Sequence, residues 1–116
     1  MGADITHGPC LQRKVERIAG DLIVEIIPVG GGYYGASYSS VRAALDYAQA
    51  EGIPPDVWPI YYGISDSGID IDEVYQRCDR LKRHLSTLPR DVLAGDQLLK
   101  LVAGWLDAGE RFLITE

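Results

Sequence analysis

At 116 residues, with 47% hydrophobic and 24% charged side chains, the chain has enough apolar matter for one core and too little length for two, so a single compact domain over 1–116 is expected. Eleven basic against seventeen acidic side chains leave a formal charge of −6, which argues against nucleic acid or an anionic membrane as the partner. No apolar run approaches the roughly 18 residues of a membrane span, and residues 1–7 lack the cationic-then-apolar layout of a secretory signal. A soluble, cytoplasmic protein is the expectation. Cys10 and Cys78 form no closely spaced framework, as suits a reducing compartment.

Gly8 and Pro9 read as the opening of a short helix, with Leu11, Val15 and Ile18 at helical spacing and Gly20 as its stop. Residues 22–27 are β-branched and almost wholly apolar, the pattern of a central strand. Pro28 and the triple glycine at 30–32 end it and lead through a loop to a second helix over about 39–50, capped by Ser37 or Ser39. Gly52, Pro54 and Pro55 stop the chain. Residues 57–62 read as a second strand, and Pro59 points to a sheet edge.

The third helix is the clearest element. Asp70 and Glu73 have capping-box spacing, and Ile71, Val74, Cys78, Leu81, Leu85 and Leu88 step by three and four. Acids fill its first turn and bases its later half, as the macrodipole favours, and Pro89 ends it. A fourth helix over about 96–108 carries Leu98, Leu99, Val102, Trp105 and Leu106, and residues 111–115 form a short strand. The expected order is αβαβααβ: an α+β or small α/β fold, with about three strands in a mixed sheet packed by four helices. The first two strands, joined by a helix-length connection, are expected to run parallel if adjacent.

Several motifs come close to known chemistry. Gly30, Gly32 and Gly35 match the spacing of the dinucleotide fingerprint, whose glycines let backbone N–H groups approach a phosphate. The motif lacks a helix beginning inside it and an acid at the end of a following strand, so a turning loop is the plainer reading. Residues 35–39 narrowly miss a nucleophile elbow, and Ser37 and Ser39 are explained as caps. His7, Cys10, Cys78 and His84 are zinc-ligand types, but Cys78 and His84 lie about 120° apart around one helix, so no metal site is expected. Placing Gly68 sixth in a calcium loop puts Gly63 first and Val74 twelfth, where acids are required. Residues 66–68 are better read as a turn and Asp70 as a helix start.

The aromatic balance is the least ordinary feature: seven Tyr, two Trp and one Phe. Tyr tolerates a half-wet position and is enriched at contact surfaces. Tyr33, Tyr34 and Tyr38 crowd the glycine loop, while Tyr61 and Tyr62 end the second strand before Asp66, Asp70 and Asp72. These eight residues are the expected partner-binding rim, provided the loops emerge at one sheet end. The functional expectation is a protein-interaction domain, an inhibitor, immunity or anti-defence type factor, with no catalytic residue and no cofactor. The alternative is a small ligand-binding domain or enzyme holding an anion at Gly30, Gly32 and Gly35. A third reading is a self-associating homo-oligomer joined through the edge strand with Tyr61 and Tyr62. Residues 1–5 and 64–69 resemble segments of small bacterial and phage proteins; that resemblance covers little of the chain and implies an origin but no activity.

Overall fold

The computed structural model describes residues 2–116. Its first third is one long antiparallel ribbon. β1 (Gly2–Gly8) passes through Pro9 into β2 (Cys10–Ile18), and the chain returns as β3 (Asp21–Val29) and β4 (Gly32–Ser37). The reversal uses Ala19 and Gly20, both at positive φ (51° and 85°), the handedness that matches strand twist in a two-residue hairpin turn. Halfway along, the ribbon bends, at Pro9 on one side and at residues 30–31 on the other. Only glycine fits there: Gly30 has φ +75°, and a Cβ on Gly31 would fall 1.9 Å from the His7 carbonyl oxygen.

The inner half of the ribbon joins two later strands, β5 (Ile60–Tyr61) and β6 (Arg111–Thr115), in a mixed sheet ordered β4-β1-β6-β5. β1 is antiparallel to both neighbours, with Ile5 opposite Tyr34 on one side and Ile114 on the other. β5 lies parallel to β6 at the far edge. The crossover between them holds α2 (Ile71–Leu85), α3 (Arg90–Leu93) and α4 (Gln97–Asp107), while α1 (Tyr38–Ala50) follows β4. Alternation puts Ile5, His7, Phe112 and Ile114 on one sheet face, where Trp105 of α4 stacks on His7 and meets Phe112. Trp58, Phe112, Leu81, Leu99 and Leu106 are among the largest fully buried side chains of this core. Ser37 caps α1 by accepting the Ser40 N–H, Asp70 caps α2, and Asp96 caps α4. No helix among the described residues is long and apolar enough to cross a membrane.

The structure is a mixed α and β fold, and it corrects the expected topology in four places. Residues 10–18 form β2 rather than a helix, because all nine pair in register with β3. Residues 32–37 form β4 rather than a loop, since the bend at residues 30–31 returns the chain to β1. The apolar run 22–27 lies in the two-stranded outer ribbon, so it pairs with β2 and is not parallel to β5. The sheet has four strands and the outer ribbon two, against the three expected. The helix number agrees only because α3 replaces the misread first helix. The outer ribbon, β2 with β3, forms an arm that leaves Val15, Ile18 and Leu22 exposed, and the molecule measures 51 × 28 × 20 Å.

Candidate functional site

The bend folds β3 back toward the sheet face opposite the helices. Between them lies a cleft of about 450 Å³. Its floor follows from strand register: Asp4 stands opposite Gly35 and Thr115, and Thr6 opposite Tyr33, so all five share one face. Glu25, Ile26, Ile27 and Asp66 line it from the other side. Asp66 is fixed there because its Oδ2 accepts the Ile26 N–H at 2.9 Å, which ties the turn before α2 to the arm.

Three carboxylates therefore line one concavity, and no Lys or Arg is among its lining residues. Lys14 stands across the arm from Glu25 but pairs with Glu16 at 2.8 Å. Thr6 is 8% exposed and lines the cleft floor. Tyr33 is 68% exposed beside it. Such a lining favours positive over negative charge: the carboxylates supply charge, the Tyr33 ring a face, and Thr6 a hydrogen-bonding hydroxyl.

A second hollow of about 280 Å³ lies near the same strand, lined by residues that include Ser37, Ser40, Asp96, Gln97 and Leu98. Tyr34 and Gly35 border both cavities. The outer edge of β4 thus runs beside two concavities and carries no neighbouring strand.

Of the eight expected site residues, the fold gathers Tyr33, Tyr34 and Asp66 around the cleft. Adjacent strand residues face opposite ways, however, and the Tyr34 ring meets Trp105 edge-on at 6.0 Å on the helical side. Tyr38 is exposed on the first turn of α1. Tyr61 is 8% exposed with the Arg77 guanidinium 5.6 Å from its ring centroid, and burial raises its phenol pKa. Tyr62 is exposed beside Arg42 and Arg77, away from the cleft. The Asp70 carboxylate accepts the N–H groups of Asp72 and Glu73, and Asp72 is exposed on the first turn of α2. These last five residues do not line the cleft. The sequence reading missed Asp4, Thr6, Glu25 and Thr115; the alternation of Ala3 and Ile5 with Asp4 and Thr6 was the available signal for the first two.

The other motifs resolve into structure. Gly30 makes the bend, while Gly32 and Gly35 lie in β4, so a full strand separates the glycine run from α1 instead of a phosphate-binding turn. His7 Nδ1 pairs with Glu110 Oε1 at 2.9 Å. The Cys78 thiol donates to the Phe112 carbonyl, and burial pushes its pKa up to about 11. Among the described residues no three His, Cys, Asp or Glu side chains stand close enough together to hold a metal ion. Comparison with family models, curated proteins and solved structures found no match to this chain.

Proposed function

We propose that this chain is a cytoplasmic protein-interaction domain rather than an enzyme, a small inhibitor, immunity or anti-defence type factor of bacterial or phage origin. Its contact surface is the cleft at the base of the arm together with the neighbouring edge of β4. The observation that carries this reading is the exposed Tyr33 ring standing at a cleft that Asp4, Glu25 and Asp66 share. An aromatic anchor beside a concave, charged surface is how protein interfaces concentrate binding energy. The candidate nucleophiles have structural tasks instead: Ser37 caps α1, and a Cys78 thiol with a pKa of about 11 stays protonated at neutral pH.

The test is capture from the cells that encode the chain. The expected outcome is a stoichiometric protein partner, held about tenfold more weakly by Tyr33→Ala. This substitution removes an exposed ring and leaves the core intact. Failure to capture any protein, or affinity indifferent to Tyr33 and to Asp4→Lys, overturns the reading.

A further inference from the structure

Sheet edges are usually guarded. At the far edge of this sheet β5 is only two residues long and follows Pro59. In the arm, β2 carries Arg13, Lys14, Glu16 and Arg17, while β3 carries Asp21, Glu25 and Pro28. Short length, charge and proline are the ordinary defences against pairing with another chain. β4 has none of them. Its six residues, Gly32–Ser37, include no charged side chain and no proline, and alternate N–H and C=O groups point away from β1 with no strand beside them.

The surroundings of that edge select what lies on it. A strand added to β4 projects its side chains alternately to the two faces of the sheet. One face is the carboxylate cleft, and the other bears the hollow lined by Ser37, Ser40 and Asp96. Asp4 lies on β1, two strand spacings or about 10 Å from such an incoming chain, a span that Lys and Arg can bridge and short side chains cannot. Tyr33, on β4 itself, presents its ring to the same side. Thr6 lines the same cleft from β1, and its hydroxyl can donate to or accept from a polar group lodged there. A second copy of this chain is the poorer occupant, because it brings another net −6 to an acidic surface.

We propose that the outer edge of β4 accepts an extended, cationic segment of a protein partner as a fifth strand, with Lys or Arg side chains at alternate positions lodged in the cleft lined by Asp4, Glu25 and Asp66. The proposal rests on the protein-interaction reading and specifies its mode, strand addition.

The probes are two alternating peptides, acetyl-TKTRTKT-amide and its acidic counterpart acetyl-TETETET-amide, titrated against the isotope-labelled chain and followed by amide resonances. The cationic peptide is expected to shift the amides of β4 and of Thr6 and to slow exchange at alternate β4 amides. Salt weakens it, and Asp4→Lys lowers its affinity about tenfold with the spectrum of the free protein otherwise unchanged. The acidic peptide leaves β4 untouched. Silence from both peptides, shifts confined to the arm, or binding indifferent to charge overturns the proposal. So does a doubled mass in solution with β4 amides already protected, which assigns the edge to a second copy. A captured partner that is lost in Tyr33→Ala, together with silent peptides, removes strand addition alone. Failure to capture any partner removes the functional reading, and the peptides still decide the edge.

Discussion

Phe112 and Leu22 are both large apolar residues on antiparallel strands, yet the first is fully buried and the second is 61% exposed. Phe112 sits on β6 between Trp58 and Trp105. Leu22 sits near the tip of the arm, opposite Arg17, where the cross-strand ladder is the main support. The two regions rest on different physics. The body is stabilised by burial, and its strands are fixed because slipping any of them would turn apolar side chains to water. Beyond Arg13, whose guanidinium donates to the Ile69 carbonyl, and Ile26 opposite it, the arm rests on backbone pairing and half-wet cross-strand contacts, a combination that alone is marginal in water. Where the two regions meet, the bend leaves the cleft and the bare edge of β4. The candidate interaction surface thus sits at the junction between a rigid platform and a weakly supported arm.

Substitutions in the body, at the bend and at the tip of the arm separate the two regions energetically. The largest effect is expected for Phe112→Ala, which should cost about 3–5 kcal/mol in chemical denaturation, with helices and sheet lost in one transition. A loss under 1 kcal/mol would show that the body is not one cooperative unit. Gly31→Ala should cost about 1–3 kcal/mol, because its methyl would collide with the His7 carbonyl and the Gly8 Cα. Faster amide exchange should then appear first along β1 and β4, and an unchanged denaturation midpoint would mean that the bend is not fixed by glycine. Ala19→Gly should act with the opposite sign and least force. Relieving a non-glycine residue at φ 51° is worth about 1 kcal/mol, read as slower amide exchange in β2 and β3 with little change in the global midpoint. A global midpoint that rises in step would show that arm and body unfold together.

The same division explains what could be read in the sequence. α2 was legible because several signals agree: the apolar stripe from Val74 to Leu85, the Asp70 cap, and charges ordered along the dipole. α4 and β6 were legible for similar reasons, and Pro59 correctly marked a sheet edge. The arm was not. Leu11, Val15 and Ile18 are spaced as on a helix, and strand alternation is faint when neither face of a ribbon is fully buried. β4 was hidden by its glycines, which in a strand usually signal a bend or a close approach, and here the bend is next door at Gly30 and Gly31. Of the cleft, Tyr33 and Asp66 could be singled out as polar or amphipathic groups near turns. Asp4 and Thr115 could not be brought together without knowing that strands more than a hundred residues apart are paired.

That long-range pairing bears on how the molecule is made. Thr115 stands opposite Asp4, so the inner strand of the sheet waits for a neighbour near the far end of the described chain. During synthesis the hairpin of residues 2–37 can close on local contacts, while the flank of β1 away from β4 stays unpaired until residues 111–115 leave the ribosome. For that interval the nascent chain presents β1 with one flank unpaired. Its protection then comes from the speed of translation or from whatever holds the emerging polypeptide.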